Sequence, residues 1–470
     1  MSDVPRQYLK AHHAEHIQSL ARLVQIASVS NDGQHQAEID LSAELVASMM
    51  ESAGLQNIQT LRSEGSNPYV FGEWLGAPGA PTVLLYSHHD VQPINFADQW
   101  LSPPLELTPR GGRLYGRGSC DDKGGVVAQI AAIAAFLKSD GRLPVNVKVI
   151  IEGEEEVGSP NLLSFFKANR DLLRSDLMVV TDTENIKTGT PSITYSLRGV
   201  LSMLVEVESA TAPSHSGFVG GGLADAAIAL NVVLSRLFWG EGPIPIPHYN
   251  DRVRPLTEAE RATIRGIGWD EEQVRRDFGV LPGVQLGVPQ GLDWYEATWR
   301  RPAISVIAQE ASSIGAASNQ VLPRASAVVS CRIVPDQEPA EAFEQVRDYL
   351  TANPPWGTRV SVTQRDKPAS WWITDPTGPA FTAALDALRQ GYQKEPVPIG
   401  AGGTIGFVGP VAELLGNVPA LLLGISDAQS NPHAPNESLH EGDWVKLMTS
   451  ITHLFENLAA LPEGTFRPKA

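Results

Sequence analysis

The chain has 470 residues, a formal net charge of −17 at pH 7 and two cysteines. Its length exceeds what one hydrophobic core usually supports, so we expect two domains. The negative charge argues against a nucleic acid or an anionic membrane surface as partner, because both bind basic faces. Cys120 and Cys331 cannot form a disulfide framework, and the polar N-terminal stretch resembles neither a signal peptide nor a transmembrane helix, so we expect a cytoplasmic protein.

The chain opens with two predicted helices. The first covers 7–29 and carries an apolar stripe, and the second covers 36–52 and ends near Gly54, a residue suited to a left-handed cap. A run without alternation at 82–86 then predicts a parallel strand that is buried on both faces. If the chain stays extended beyond it, His88 and Asp90 project to one face and His89 to the other, where we expect a packing or surface role.

A second polar segment, Arg117-Gly-Ser-Cys-Asp-Asp-Lys-Gly-Gly125, precedes a helix predicted over 124–137. A glycine-rich turn at a helix start can bind phosphate, but no Gly-Lys-Ser/Thr is present here. Asp121 and Asp122 are also common residue types for capping a helix N-terminus. Taken alone, this segment favours that structural interpretation.

Three further predicted strands end in chemically active residues. The strand at 145–151 runs into Glu152-Gly-Glu-Glu-Glu156, the strand at 177–180 into Asp182, and the strand at 421–425 into a segment with His433. Carboxyl ends of parallel strands meet at one edge of a sheet, where α/β proteins keep their sites. We therefore predict that these residues meet His88.

The middle of the chain has a different texture. From about 192 to 372, apolar and polar residues alternate as in antiparallel strands with one buried face. The fold class predicted is α/β, with a mixed, mostly parallel sheet flanked by helices, plus an inserted α+β domain with an antiparallel sheet. The domains predicted are one formed by 1–191 and 373–470, and a second, 192–372, inserted into it.

The residues gathered at the sheet edge suit a metal centre. They comprise two imidazoles and three carboxylates: His88, Asp121, Glu156, Asp182 and His433. This mixture suits Zn²⁺, Mn²⁺ or Co²⁺, and five ligands can hold two ions if one carboxylate bridges. Glu155 is a candidate general base, and Asp90 a candidate carboxylate behind His88.

Five motifs together resemble the co-catalytic metallopeptidase family that includes carboxypeptidase G, acetylornithine and succinyl-diaminopimelate deacylases, aminoacylases and carnosine-type dipeptidases. They occur in family order from about residue 80 to 440: Ser87-His-His-Asp-Val-Gln-Pro93, Gly116-Arg-Gly-Ser-Cys-Asp-Asp-Lys-Gly-Gly125, Glu152-Gly-Glu-Glu-Glu-Val-Gly-Ser159, Val179-Val-Thr-Asp-Thr183 and Asn431-Pro-His-Ala-Pro-Asn-Glu437. The resemblance implies that Asp121 bridges two ions, with His88 and Asp182 on one and Glu156 and His433 on the other. It also implies that Glu155 is the general base and that Asp90 orients His88.

The resemblance implies further roles outside the metal ligands. It implies that 192–372 is a lid and dimerisation domain and that 1–191 with 373–470 is the catalytic domain. His215 resembles a lid histidine that reaches across a dimer to stabilise an oxyanion. Arg332 resembles an arginine that binds a substrate carboxylate, and Gly402, Gly403 and Thr404 resemble the loop that closes on that end. The long segment around 244–302 is closest to the dipeptidase branch. Dipeptidases of that branch usually carry a glutamate where this chain has Ala401.

We therefore predict a homodimeric dipeptidase with two divalent ions per subunit, Zn²⁺ first and Mn²⁺ or Co²⁺ next. An N-acyl-amino-acid deacylase or carboxypeptidase of the same family is the alternative. Two other classes remain open: a binding protein that keeps the fold without turnover, and a dinuclear phosphoesterase, which would need a basic phosphate cradle that the sequence does not indicate.

Overall fold

The computed structural model describes residues 3–240 and 242–466 and contains two compact units. The first comprises the described residues up to Tyr195, Thr374–Ile399, and those from Phe407 onward; the second comprises Ser196–Ile373 and Gly400–Gly406. The predicted insert, 192–372, has similar bounds but leaves out 400–406. The lid and dimerisation role given to that insert stays a prediction.

The described residues contain 18 strands and 15 α-helices. The strands are β1 (Gln56–Leu61), β2 (Tyr69–Trp74), β3 (Thr82–His88), β4 (Thr108–Arg110), β5 (Arg113–Tyr115), β6 (Asn146–Glu152), β7 (Leu177–Glu184), β8 (Ser192–Leu197), β9 (Gly199–Glu208), β10 (Ser214–His215), β11 (Ala303–Glu310), β12 (Gln320–Val321), β13 (Arg324–Ile333), β14 (Arg359–Gln364), β15 (Trp372–Ile373), β16 (Val397–Ala401), β17 (Ala420–Ser426) and β18 (Ser438–His440). The α-helices are α1 (Val4–Ala11), α2 (His13–Val24), α3 (Gln36–Ala53), α4 (Lys123–Ser139), α5 (Leu162–Ala168), α6 (Arg170–Leu173), α7 (Ser216–Val219), α8 (Ala226–Ser235), α9 (Glu258–Ile267), α10 (Glu271–Asp277), α11 (Trp294–Trp299), α12 (Pro339–Thr351), α13 (Pro379–Tyr392), α14 (Val408–Leu414) and α15 (Glu441–Ala459).

The first unit is built on a mixed sheet with the order β1-β2-β6-β3-β7-β17-β8. Its centre is parallel, since β3 pairs in parallel with β6 and β7, and β17 pairs in parallel with β7. The flanking strands β2 and β8 are antiparallel to their neighbours. The predicted α/β class, with a mostly parallel sheet, is confirmed, and the four parallel strands end at a common edge.

Apolar residues on both faces explain why the central strands lie inside the unit. Val83, Leu84, Leu85 and Tyr86 of β3 are completely buried. Helix α4 is also apolar around most of its circumference and belongs to the same core as α13 and α15. Because the central strands are buried on both faces, the positions at which their following loops begin are well defined.

The N-terminal helices differ in part from the prediction. The expected helix over 7–29 is two helices, α1 and α2, because the backbone at His12 leaves helical geometry (φ −103°, ψ 17°). Helix α3 agrees with the prediction, and Gly54 adopts the expected left-handed cap with φ 102°.

The second unit contains an antiparallel sheet with the order β11-β13-β9-β14. The alternating segments seen in the sequence form β9 and β13, which pair directly along ten positions. Two helices, α9 and α10, interrupt the long Pro/Gly-rich segment that follows α8. Among the described residues, no helix has the length and apolar character needed to cross a membrane.

Candidate metal centre

The predicted ligands lie at the carboxyl edge of the parallel strands. His88 is the last residue of β3, and Asp182 lies near the end of the neighbouring β7. Glu156 follows β6 in a short 3-10 turn, Glu155–Val157, while Asp121 lies two residues before the start of α4. His433 lies in the loop between β17 and β18. The strand ends thus bring together residues that are as much as 345 positions apart in the sequence, counting from His88 to His433.

Asp121 faces a histidine with each of its carboxylate oxygens. Its Oδ1 is 3.1 Å from Nε2 of His88, which lies 3.8 Å from Oδ2 of Asp182. Its Oδ2 is 2.9 Å from Nε2 of His433, which lies 3.1 Å from Oε2 of Glu156. Within each of these two groups, the candidate ligand atoms all lie within 4.8 Å of one another.

These two groups fit a centre for two divalent ions. Each combines one imidazole with carboxylates, a donor set that suits borderline cations, and the shared Asp121 provides one oxygen to each side. The carboxylates of Asp121 and Glu156 raise the pKa of His433 to about 11. Burial, with the Asp121 carboxylate nearby, raises the pKa of Glu156 to about 7. Such crowding of acids and bases is what a bound cation relieves.

Asp90 contacts both the histidine and the acidic turn. Nδ1 of His88 is 3.1 Å from the Asp90 backbone oxygen and 3.4 Å from its carboxylate Oδ1. The Asp90 carboxylate also accepts hydrogen bonds from the backbone N–H groups of Glu155 (3.2 Å) and Glu156 (3.0 Å). One buried acid therefore orients His88 and fixes the turn that carries two other predicted site residues.

Glu155 lies beside the two ligand groups without belonging to either among the described residues. Burial raises the pKa of its carboxyl group well above the ordinary value, and the nearby Asp182 and Glu156 carboxylates act in the same direction. A carboxylate in such surroundings binds protons readily. Its position and basicity are those of a proton acceptor next to the candidate metal ligands.

Two buried residues that sequence reasoning did not single out support Asp121. The Glu437 carboxylate pairs with Arg117 at 2.7 Å and accepts the backbone N–H groups of Gly118 (2.9 Å), Cys120 (3.0 Å) and Asp121 (3.2 Å). Both Arg117 and Glu437 stand inside motifs already noted in the sequence. Their positions in those motifs were the available signal, but the pattern alone did not indicate that they contact each other.

A second buried acid holds the turn after β6. The Glu154 carboxylate accepts the Tyr69 hydroxyl at 2.5 Å and the Asn161 backbone N–H at 3.2 Å. Next to it, His89 is completely buried rather than on the surface, and burial lowers its pKa to about 4.

The remaining predicted site residues belong to the second unit. Arg332 on β13 donates from a terminal guanidinium nitrogen to the Thr404 hydroxyl at 2.7 Å, and the loop with Gly402 and Gly403 adjoins Thr404. His215 is exposed, and its Nδ1 accepts the Gly217 backbone N–H at 3.0 Å. Because Nδ1 is an acceptor, the neutral ring carries its proton on Nε2 and can donate it.

Comparisons with known proteins agree with this geometry. A family profile described as Peptidase family M20/M25/M40 matches residues 84–457. The chain belongs to this peptidase family. Among its relatives, a cysteinylglycine-S-conjugate dipeptidase of Corynebacterium striatum is 32% identical over 90% of each chain. The human Beta-Ala-His dipeptidase is 30% identical, over 97% of this chain and 92% of the relative.

Solved structures of family M20 peptidases extend the likeness to the fold. The di-peptidase Dug1p from Saccharomyces cerevisiae has a TM-score of 0.86 and 26% identity, covering 98% of this chain and 99% of that one. Human carnosine dipeptidase 1 has the same TM-score, 28% identity, and coverage of 98% and 100%. The predicted family and its dipeptidase branch of relatives are thereby confirmed.

Proposed function

We propose that this family M20 peptidase hydrolyses the peptide bond of dipeptides with two divalent ions in its site, Zn²⁺ first and Mn²⁺ or Co²⁺ next. The proposal depends on the position of Asp121. Each of its two carboxylate oxygens faces a different pair of candidate ligands, and each pair consists of one histidine and one acidic residue. His88 and Asp182 would hold one ion, and Glu156 and His433 the other. When bound, two such ions would polarise the carbonyl group of the substrate and lower the pKa of a water molecule.

Glu155 is the proton carrier in this proposal. It takes a proton from the water that attacks the carbonyl carbon, and it then delivers that proton to the leaving amine. Its pKa, raised by burial and by the nearby carboxylates, suits a group that first binds a proton and then passes it on. Asp90 supports this role by holding the Glu155 and Glu156 backbone N–H groups.

His215 stabilises the oxyanion of the tetrahedral intermediate from the partner subunit of a homodimer. Its exposed ring can donate from Nε2, as a hydrogen bond to a developing negative charge requires. A dimer is supported by the edge strand β11, where Val306 and Ile307 are 45% and 59% exposed. On α8, Ile228 and Val232 are also exposed. A long edge strand with apolar side chains is a surface that natural proteins usually cover.

Arg332 binds the carboxylate at the C-terminal end of the substrate, together with the loop Gly402, Gly403 and Thr404. A guanidinium with a planar fork suits a carboxylate, and the Thr404 hydroxyl fixes one of its terminal nitrogens. A cytoplasmic location remains a prediction from the composition of the chain.

A carboxypeptidase or N-acyl-amino-acid deacylase is the second candidate. This chain has Ala401 at the position where carnosine-type dipeptidases usually carry glutamate. It therefore lacks an acidic side chain that could bind the free amine of a dipeptide. A metallo-carboxypeptidase from Sulfolobus solfataricus has 27% identity and a TM-score of 0.81, covering 95% of this chain and all of that one.

A substrate panel separates the two candidates. Free-amine dipeptides and their N-acetylated forms would be compared after chelation and re-addition of Zn²⁺, Mn²⁺ or Co²⁺. The dipeptidase proposal predicts that kcat/KM is higher for the free-amine forms. Preference for the acetylated forms would favour the second candidate, and activity that needs no metal would contradict both.

A further inference from the structure

Arg198 makes four polar contacts in the second unit, three of them with the candidate carboxylate-binding loop. Its side-chain Nε donates to the Gly402 carbonyl oxygen at 3.0 Å, and a terminal nitrogen donates to the Arg301 carbonyl oxygen at 3.2 Å. Its backbone N–H donates to the Gly403 carbonyl oxygen at 3.2 Å. Its own carbonyl oxygen accepts the Thr404 hydroxyl at 2.6 Å. Three of the four contacts therefore fix consecutive residues of one loop.

The Thr404 hydroxyl links Arg198 to Arg332. A hydroxyl has a single proton, and Thr404 uses it toward the Arg198 carbonyl oxygen, so its lone pairs face the Arg332 guanidinium, which donates at 2.7 Å. The strand register agrees with this link. Arg332 pairs with Val200 across β13 and β9, and Arg198 stands two residues before Val200, at the break between β8 and β9.

Among residues 3–240 and 242–466, no carboxylate oxygen forms an ion pair within 4.0 Å of a nitrogen of either guanidinium group. Both are half-buried. Burial, with the positive charge of Arg332 nearby, lowers the pKa of Arg198 to about 10, and burial also lowers the pKa of Arg332. Partly desolvated like charges are unfavourable unless an anion joins them. This pair of cations therefore favours an anionic ligand.

Gly402 shows how closely the loop approaches Arg198. A Cβ atom at this position would lie 2.8 Å from a terminal nitrogen of Arg198 and 3.0 Å from the Thr298 carbonyl oxygen. Any larger residue would push the loop away from the guanidinium. The loop and Arg198 thus form one fitted unit, in which the backbone conformation depends on the arginine.

We propose that Arg198 is a positioning residue that sets the loop Gly402 to Thr404 and, through Thr404, the guanidinium of Arg332. Its uncompensated charge makes a free carboxylate at the C-terminal end of the substrate a requirement for tight binding. The inference rests on the proposed function, in which Arg332 binds that carboxylate. The inference goes beyond the proposed function by naming the residue that orients Arg332.

The test compares the dipeptide Cys-Gly with Cys-Gly amide, in which the carboxylate is neutral. For Arg198→Ala we expect KM for Cys-Gly to rise about tenfold or more, as when one or two charge-assisted hydrogen bonds are lost. KM for the amide should stay unchanged, and kcat for Cys-Gly should change less than KM. Equal effects on both substrates, or a loss confined to kcat, would overturn the inference.

Three variants refine this test. Arg198→Lys keeps the charge but replaces two separate donor nitrogens of a planar guanidinium with one ammonium group, so it should show most of the KM increase; full wild-type behaviour would overturn the positioning role. Combining Arg198→Ala with Arg332→Ala should raise KM for Cys-Gly little more than Arg332→Ala alone, whereas full additivity would contradict action through Arg332.

Arg359→Ala, which removes an exposed arginine paired with Glu208 in the same unit, is the matched control and should leave both KM values unchanged.

Binding measured without turnover separates this inference from the proposed function. In metal-loaded protein with Glu155→Gln, calorimetry should show tighter binding of Cys-Gly than of its amide, and Arg198→Ala should remove that difference. If this pattern holds while the wild type hydrolyses no dipeptide, the inference stands and the proposed function fails. If hydrolysis is found but binding does not depend on the carboxylate and Arg198, the inference fails alone.

Discussion

At the residue scale, Asp121 is the residue that the two groups of candidate ligands share. Its carboxylate lies between His88 and His433, and the Glu437 carboxylate accepts a hydrogen bond from its backbone N–H. The five ligand identities and Glu155 could be proposed from the sequence because each follows a strand or precedes a helix in a motif. The contact between Arg117 and Glu437 could not, because the pairing of residues 320 positions apart depends on the folded chain.

The pKa of His433 leads to a prediction about protons. With a pKa of about 11 in the metal-free protein, the ring is protonated at pH 8, and it must lose that proton before Nε2 can bind a metal. Zinc binding at pH 8 should therefore release about one proton from this residue. Calorimetry in buffers of different ionisation enthalpy would measure the total release, and His433→Ala should lower it by about one.

The same residues give metal affinity a pH dependence of known sign. Glu156 has a pKa of about 7, so below that pH protons compete with the metal for its carboxylate. Affinity at the Glu156 and His433 group should fall as the pH is lowered from 8 to 6. Metal titrations at both pH values would test this, and an affinity that rises on acidification would contradict the assignment of these ligands.

At the element scale, buried strands were predicted well and irregular segments less well. The apolar runs of β3, β6, β7 and β17 are buried on both faces, so their sequence has one simple interpretation. Helix α9 was missed within a Pro/Gly-rich segment, although Thr257 and Glu260 form a capping box at its start. The break between α1 and α2 was also missed, since the apolar stripe continues across His12.

The loop between β5 and α4 depends on the buried pair Arg117 and Glu437, whose side chains are 1% and 0% exposed. Arg117→Met should lower the free energy of unfolding by about 3–5 kcal/mol, because it leaves a buried carboxylate without its partner. Denaturant unfolding monitored by circular dichroism would measure the change.

The exposed Arg389 offers the control for that experiment. It pairs with Asp386 and with Glu395 on the surface of the same unit, where solvent screens the charges. Arg389→Met should cost less than about 1 kcal/mol. Equal costs for the two substitutions would show that the buried pair does not hold the loop.

At the scale of the whole molecule, the proposed dimer connects the exposed His215 with the metal centre of a second copy. Glu155→Gln and His215→Ala should each be nearly inactive as pure proteins. If His215 acts on the partner's site, mixed dimers contain one centre with both residues intact, so mixing the variants should restore activity toward about a quarter of the wild type when subunits exchange freely. Native mass spectrometry with one variant isotope-labelled would confirm exchange of the subunits, and dimers that exchange without regaining activity would contradict the role of His215.

The most direct test of the central claim is the metal content and dipeptide turnover of Glu155→Gln measured on one preparation. Two ions held around Asp121, with Glu155 as the proton carrier, predict two equivalents of metal per chain. They also predict that kcat falls by about a thousandfold, within the range for loss of a general base. Two bound ions together with near-normal turnover would contradict the account.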